Sequence, residues 1–288
     1  MEITSDQLER FKELVYSRSN LTFPGNRETQ LQRWLTQRIV ESNARSADEY
    51  YRSLSADPRE FERLAALITT RETYFFRMPG QFDALRDAVL PEIVEREGRA
   101  SLSALSRQEP YRMRLRAWSA GCATGQEAYS LAMRVLEALR YPRAWDVRVL
   151  GTDINADAIE TARTGRYDVT RLGCMPPQLI ERYFTVSALD EITVTDEVKA
   201  ITEFSVLILR NLPEQESFKN AFDIILCRNV MIYFDLPAQQ RLVTALGACL
   251  KPGGYLFTGE SEVLHLYRHD FEIREMHGSI FYRRPEGK

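Results

Sequence analysis

The stretch that decides the fold is LRAWSAGCATGQEAYSLAMRVLEALRYPRAWDVRVLGTDI, residues 115–154. Its first seven residues predict a short strand that runs into a turn containing glycine, and residues 126–140 have the apolar spacing of a helix. Residues 145–154 predict a second strand, which ends in Asp153. Short apolar strands that alternate with helices indicate βαβ units and a mostly parallel sheet.

The same alternation continues towards the C-terminus, so we expect an α/β domain over residues 114–288. The further elements are a helix at NADAIETARTG (155–165), strands at SVLIL (205–209), FDIILCRN (222–229) and YLFTGE (255–260), and a helix at LPAQQRLVTALGACLKPGG (236–254). Residues 166–205 break this rhythm. Within them, ITVTDEV (192–198) alternates like an exposed strand, which predicts a small β-subdomain.

Residues 1–90 predict a separate helical domain, because their apolar residues recur at helical spacing and no stretch is rich in strand-forming residues. Asp57-Pro58 predicts a helix start with proline in the first turn, and Glu60 lies where a capping-box partner would. Residues 91–113 are polar and contain Gly98, Pro110 and several serines. We expect a linker around a short helix there.

Composition limits the class of protein. Of the 288 residues, 44% are hydrophobic and 27% are charged, and the formal net charge is −3. These fractions exclude disordered, collagen-like and coiled-coil classes, and the near-balanced charge argues against a chain-wide surface for nucleic acid. The first residues lack the apolar core of a signal peptide, and no apolar run reaches about 18 residues.

The four cysteines are scattered and form no C-x-x-C pair, while the three histidines lie near the end of the sequence. A zinc site needs closely spaced ligands of these types, so we expect no metal site. Reduced thiols in a cytoplasmic protein are the simplest interpretation.

The candidate site comprises residues at the predicted strand ends, because ligands of an open parallel sheet bind beyond the carboxyl ends of its strands. Gly121 and Gly125 follow the first strand without forming a G-x-G-x-x-G motif, and they fit either a ligand-binding loop or a simple tight turn. Asp153 lies where a carboxylate accepts both ribose hydroxyls of an adenosine. The alternative is that Asp153 or Asn155 caps the next helix.

The kind of nucleoside follows from two further features. No second mononucleotide-binding half is evident, which argues against NAD. A Lys251-Pro252-Gly253-Gly254 turn precedes a strand, as is common in methyltransferases of this architecture, although such a turn also simply ends a helix. Together these features favour S-adenosylmethionine.

Four segments of the chain resemble the bacterial chemotaxis receptor methyltransferases, the CheR family, and the resemblance covers essentially the whole chain. They are TTRETYFFR (69–77), WSAGCATGQE (118–127), GTDI (151–154) and FDIILCRNVMIYFD (222–235). The resemblance implies a helical N-terminal domain joined to a Rossmann-like class I methyltransferase domain with a small β-subdomain.

The resemblance also implies an activity, which is methyl transfer from S-adenosylmethionine to glutamate side chains of methyl-accepting chemotaxis receptors, with S-adenosylhomocysteine as product. The implied partner is the cytoplasmic helical region of those receptors. The implied location is the cytoplasm, with recruitment to membrane receptor arrays, without nucleic acid and without insertion into the membrane.

Site residues are implied by the same matches. The family's cofactor contacts match Thr73, Arg77, Glu127, Asp153, Asn211, Leu212, Arg228 and Asn229, and its catalytic candidates match Arg77 and Tyr233. The chain departs from the family at Arg71, where asparagine is frequent, and in a slightly longer segment before Asn211. Its β-subdomain also lacks the glycine-rich turn of members that dock on a receptor's tail peptide.

The chemistry of these residue types agrees with that activity. A glutamate carboxylate is ionised near neutral pH and needs no general base, so the useful groups orient it, as the fork of Arg77 and the hydroxyl of Tyr233 would. Taken singly, each residue has a structural alternative: Tyr233 as a core aromatic, Arg77 as a helix cap or surface ion pair, and Glu127 as a partner of the helix dipole.

Four arginines near the N-terminus have two interpretations. Arg27, Arg33, Arg38 and Arg45 predict either a solvated helix face or a patch for acidic receptor helices.

Other functions compete with methylation of receptor glutamates. A methyltransferase of RNA or of a small molecule is a second hypothesis, against which stand the acidic net charge and the strand end CRNVMIYF, which is not a D/N-P-P-Y/F motif. A non-catalytic scaffold is a third, and the complete set of site residues argues against it.

Overall fold

A computed structural model describes residues 3–69, 73–173, 175–186 and 190–287 of the chain. Arg71 and Cys174 therefore lie outside the described residues. Within the described ranges, buried apolar side chains form three clusters, one among the N-terminal helices and one on each face of a mixed sheet. This arrangement confirms the predicted fold class, an α/β domain with a helical N-terminal domain.

The described part of the helical domain has four helices around its own apolar cluster. They are α1 (Ser5–Ser19), α2 (Asn26–Glu41), α3 (Ala47–Ala56) and α4 (Pro58–Ile68). Thr4 and Gln7 form a capping box that begins α1. The Asp57 side chain accepts a hydrogen bond from the N–H of Arg59 and begins α4, as the Asp-Pro pair predicted.

Glu60 is not the capping partner that its position predicted. Its carboxylate is buried and accepts two hydrogen bonds from the Arg38 guanidinium, each 2.9 Å long, and one of 3.0 Å from the Tyr50 hydroxyl. Arg38 is only 8% exposed. The interpretation of Arg38 as part of an exposed basic face is therefore wrong, because a guanidinium that is paired inside the domain is not available to a receptor.

The α/β domain is built on a mixed sheet that has seven strands in the described residues, ordered β6-β2-β1-β7-β8-β10-β9. The strands are β1 (Met113–Ala120), β2 (Trp145–Asp153), β6 (Thr202–Val206), β7 (Phe222–Cys227), β8 (Leu250–Thr258), β9 (Glu272–Met276) and β10 (Ser279–Arg283). The first five in the spatial order run parallel. β10 pairs antiparallel with β8, and β9 pairs antiparallel with β10. The strand order reverses at β1, so a crevice opens beyond the carboxyl ends of β1 and β7.

Every residue of β7 is buried, including Asp223. A strand covered on both faces reads as a continuous apolar run, and a charge within it needs partners. Asp223 is paired with Arg96 and with Lys251, whose Nζ lies 2.8 Å from its Oδ2, and it also accepts the N–H of Arg116 at 2.8 Å. The Asp223 carboxylate thus links β7 to β1, to β8 and to the segment that carries Arg96, at the end of the sheet opposite the crevice.

Helices cover the sheet, and the first of them differ from the sequence prediction. They are α5 (Pro79–Ala84), a π-helical turn (Leu85–Val89), α6 (Leu90–Ser106), α7 (Gln126–Ala138), α8 (Ala156–Thr164), α9 (Pro177–Tyr183), α10 (Asp196–Lys199) and α11 (Leu236–Cys249). Where a linker around a short helix was expected, α6 has 17 residues, because Leu90 and Ile93 pack in the sheet's core while polar residues such as Glu95 and Arg99 are exposed. The domain boundary at residue 90 stays a prediction, and we note that residues 79–106 pack with the sheet.

A small antiparallel sheet confirms the expected β-subdomain. It has the order β3-β5-β4 and consists of β3 (Arg166–Asp168), β4 (Phe184–Val186) and β5 (Glu191–Val194). Its expected end at residue 205 falls inside β6, which belongs to the main sheet. The predicted strand SVLIL is also displaced, because β6 pairs with β2 only as far as the Asp153–Val206 pair, where β2 ends.

Candidate active site

A cavity of about 270 Å³ lies at the carboxyl ends of β1, β2 and β7. Seven of the nine residues that the resemblance assigned line it, namely Thr73, Arg77, Glu127, Asp153, Arg228, Asn229 and Tyr233. The helical domain contributes Ser19, Leu21 and Thr69 to the same wall. The cavity is therefore built by both domains, and the contribution of Ser19, Leu21 and Thr69 is one that the sequence analysis did not predict.

Asn211 and Leu212 do not line the cavity. Because β6 ends at Val206, the chain reaches the cavity earlier than expected, and residues 207–209 border it instead. Asn211 and Leu212 lie in the 3₁₀ helix Leu209–Glu214, where Leu212 is buried in the cluster that contains Trp118. The extra length noted before Asn211 was the signal that could have revealed this displacement.

Asp153 is held with its carboxylate at the end of β2. Its Oδ2 accepts the N–H of Ala123 at 2.9 Å and its Oδ1 accepts the N–H of Asn155 at 2.9 Å. The capping of α8 is done by Asn155, whose side chain accepts the N–H of Ala158. The alternative that Asp153 serves as the helix cap is thereby removed, and an ordered carboxylate, 9% exposed, borders the cavity.

The turn after β1 passes very close to the loop after β7. Gly121 has a φ of +83°, and a Cβ added there would lie 2.4 Å from Cγ2 of Val230. Glycine is therefore required for the close approach as well as for the left-handed backbone. Ala123, two residues later, is also left-handed, with a φ of 48°, and its amide is the one that Asp153 accepts.

Glu127 and Arg228 form a buried ion pair below the cavity. Arg228 Nε lies 2.6 Å from Glu127 Oε2, and the side chains are 2% and 11% exposed. Ser119 donates its hydroxyl to the other Glu127 oxygen at 2.7 Å, and Arg228 Nη1 donates to the side-chain oxygen of Gln81 at 3.0 Å. The helix-dipole interpretation of Glu127 is thus insufficient, because the carboxylate neutralises a buried cation.

The segment that carries Arg77 has an unusual backbone. Phe76 and Met78, on either side of Arg77, have φ values of 54° and 64°. Such left-handed non-glycine residues cost free energy and persist only where the surroundings hold them. Here the N–H of Phe76 donates to the Ser130 hydroxyl at 3.0 Å, and the buried Phe75 ring packs edge-on against Phe184 of the small sheet. Arg77 is therefore presented to the cavity from a segment fixed on the α/β domain.

Tyr233 lies between the two domains and is only partly buried, so it is not simply a core aromatic. Its backbone oxygen accepts two hydrogen bonds from Thr22, from the N–H at 2.9 Å and from the hydroxyl at 3.0 Å. The next residue, Phe234, makes a β-bridge to Leu21. The guanidinium of Arg27 at the start of α2 lies 4.6 Å above the centre of the Tyr233 ring, and burial lowers the pKa of Arg27.

Glu262 is a buried carboxylate next to the site, and the sequence analysis missed it. It is 4% exposed and contacts the loop between β7 and α11. Nothing in its local sequence, GESE (259–262), distinguishes it from a surface glutamate. Its hydrogen-bond partners Asn229, Val230 and Ile232 precede it by about 30 positions in the sequence, and only the folded chain brings them together.

The described cysteines are buried thiols rather than ligands. Burial raises the pKa of Cys122, Cys227 and Cys249, which disfavours reactive thiolates. In the part of the chain that the structure describes, no group of three or more His, Cys, Asp or Glu residues is arranged to hold a metal ion. Across the same residues, no helix combines the length and apolarity needed to cross a membrane.

The residues present fit S-adenosylmethionine. Asp153 offers a carboxylate at the strand end where ribose hydroxyls bind in this architecture, and the turn at Gly121 borders the same cavity. The fold and the cavity thus define an S-adenosylmethionine-dependent methyltransferase. A more particular assignment comes from comparison with known proteins. Residues 71–280 match the model of the CheR methyltransferase S-adenosylmethionine-binding domain, and residues 6–69 match that of the CheR all-alpha domain.

The chain therefore belongs to the CheR methyltransferase family. It is 30% identical to a chemotaxis protein methyltransferase of Borreliella burgdorferi over 267 residues, which cover 92% of this chain and 90% of the relative. It is 27% identical to chemotaxis protein methyltransferase 2 of Vibrio cholerae over 98% of this chain and 94% of the relative. A probable chemotaxis protein methyltransferase of Rhizobium etli is 36% identical over 68% of each chain.

Proposed function

We propose that this protein transfers a methyl group from S-adenosylmethionine to glutamate side-chain carboxylates of methyl-accepting chemotaxis receptors, giving methyl esters for sensory adaptation. The observation that carries the proposal is the composition of the cavity wall. The wall includes a carboxylate suited to a nucleoside, Asp153, together with a guanidinium and a phenol suited to an acceptor carboxylate, Arg77 and Tyr233. The names of the relatives supply the chemotaxis context.

The proposed chemistry needs alignment rather than proton transfer. When bound, S-adenosylmethionine supplies a methyl group already activated by its sulfonium and leaves as S-adenosylhomocysteine. The acceptor carboxylate is ionised at neutral pH, since the reference pKa of glutamate is about 4.3. The enzyme's residues therefore hold the carboxylate at attack distance without over-stabilising its charge, which disperses in the transition state.

We assign individual roles from the chemistry of the residues in the wall. We assign Arg77 to grip the acceptor carboxylate through its planar fork and Tyr233 to orient it through one hydroxyl. We assign the cofactor to Thr73, Asp153 and Asn229 directly. The Glu127–Arg228 pair forms the floor of its site, and residues 207–209 take the place that Asn211 and Leu212 were expected to occupy.

Arg27 is the basic residue that we assign to the receptor. Its guanidinium stacks on the ring of Tyr233, is partly desolvated, and has no carboxylate within salt-bridge distance among the described residues. A glutamate-rich receptor helix that approaches Tyr233 would supply the missing anion. Binding to such receptors would bring the enzyme to membrane arrays.

The decisive experiment combines the methylation assay with the chemistry of the product. Membranes that contain receptors are incubated with methyl-labelled cofactor, with and without the protein, and the labelled receptor is then treated with alkali. A methyl ester releases its label as methanol, whereas methylated amines and N-methyl bases keep it. Base-stable label would refute carboxyl methylation, and absence of label with a well-folded protein would refute the receptor as substrate.

A further inference from the structure

The loop that carries Tyr233 is held by one buried carboxylate. Glu262 Oε2 accepts the N–H groups of Asn229 at 2.6 Å and Gly259 at 2.8 Å. Its Oε1 accepts the N–H groups of Val230 at 2.8 Å and Ile232 at 3.3 Å. Four backbone donors thus converge on one side chain. Three of them belong to residues 229–233, the segment that we call the Tyr233 loop.

This arrangement is specific to an ionised carboxylate. Glu262 lies within salt-bridge distance of no cation among the described residues, so backbone amides replace the water that its charge would otherwise need. Both oxygens are used as acceptors, and hydrogen bonds to an ionised acceptor are roughly twice as strong as neutral ones. An amide side chain would offer one oxygen and would turn an NH₂ group towards two N–H donors.

The backbone around the Glu262 carboxylate is closely packed and conformationally restricted. Asn229 is left-handed, with a φ of 59°, a conformation that non-glycine residues keep only where they are held. A Cβ added at Gly259 would lie 2.4 Å from Glu262 Oε2 and 3.0 Å from the Asn229 nitrogen. On its other side, the loop is fastened to the helical domain through Thr22.

We propose that Glu262 is a positioning residue of the methyl-transfer reaction, which holds the Tyr233 loop so that the Tyr233 hydroxyl meets the acceptor carboxylate in the cavity. This inference rests on the proposed function, since it acts through the role assigned to Tyr233. Glu262 itself does not line the cavity.

The test compares Glu262→Gln with Glu260→Gln, a matched change at an exposed glutamate two residues away. We expect Glu262→Gln to lower kcat for a receptor fragment about tenfold or more through lost alignment, with a smaller change in the affinity for S-adenosylhomocysteine and no change in the control. In a Tyr233→Phe background the same substitution should lower kcat only slightly, because coupled residues are not additive.

Amide hydrogen exchange of residues 229–232 tests, without any substrate, whether Glu262 holds this segment; we call this contact the clamp. We expect faster exchange in Glu262→Gln and unchanged exchange in Glu260→Gln. A lowered melting temperature with unchanged kcat, or an equal loss of kcat in both backgrounds, would overturn the inference. If Glu262→Gln does not fold, Glu262→Asp, which keeps both oxygens but withdraws them by one methylene, carries the same comparison. An inactive wild-type enzyme would refute the proposed function, while the exchange measurement still decides whether the clamp exists.

Discussion

Replacement of Asp153 is the sharpest test of the cofactor site. The carboxylate accepts the N–H groups of Ala123 and Asn155, one on each oxygen, and we assign it to bind the ribose hydroxyls of the cofactor. Asp153→Asn keeps the volume but removes the charge and one acceptor oxygen. Hydrogen bonds to charged groups contribute about 1.5–3 kcal/mol each, so the loss of one corresponds to a decrease in affinity of roughly ten- to a hundredfold.

Isothermal titration with S-adenosylhomocysteine measures that decrease directly, and the smaller ligand-induced rise in melting temperature checks it by mass action. Asp157→Asn, at an exposed aspartate in the first turn of α8, is the matched control and should bind as the wild type does. A folded Asp153→Asn variant with an affinity within about twofold of the wild type, well below the expected effect, would refute the assignment of Asp153.

Three other predictions concern stability and turnover. Arg38→Ala removes the buried cation of Glu60 and leaves that carboxylate only the more exposed Arg63 as an ion-pair partner among the described residues. It should lower the free energy of unfolding by about 3 kcal/mol, the lower end for a broken buried pair, measured by urea denaturation. Exposed Arg33→Ala should change it by less than about 0.5 kcal/mol, and equal effects would contradict the buried pair. The hydrogen bond from Arg116 lowers the pKa of Asp146 in the folded protein. The ionised Asp146 carboxylate therefore contributes fully to the free energy of unfolding above the unfolded pKa of about 3.9, and this contribution is lost as pH falls below that value. The difference in stability between wild type and Asp146→Asn should shrink between pH 5 and pH 2, and a constant difference would contradict this. Tyr233→Phe should lower kcat while leaving the affinity for S-adenosylhomocysteine nearly unchanged, with a rate that stays flat from about pH 6 to 8 because no general base titrates there; a bell-shaped profile would contradict a mechanism based on alignment.

The sequence predicted the elements whose patterns are local. The βαβ alternation, the Asp57-Pro58 helix start, Asn155 as a possible cap and the small β-subdomain all depend on residues within a few positions of one another. Seven of the nine site residues that the resemblance assigned also line one cavity. For Asp153, Arg228 and Asn229 the reason is that strand ends in a parallel sheet converge by geometry.

What the sequence missed depends on contacts between distant segments. The length of β6 is set by where its partner β2 ends, so the displacement of Asn211 could not be predicted from SVLIL alone. Arg38 looked like a surface arginine because its partner, Glu60, lies on another helix. The polar composition of α6 resembled a linker because only one face of that helix is buried.

The shared wall of the cavity has a consequence for protein engineering. Segment 19–22 of the helical domain and segment 230–235 of the α/β domain meet through a β-bridge and through the Thr22–Tyr233 hydrogen bonds. Grafting the helical domain of one homologue onto the α/β domain of another would therefore create a mismatch inside the cavity itself. Chimaeras that exchange receptor preference should carry both segments from the same parent, since these two pieces, distant in sequence, form one exchangeable unit.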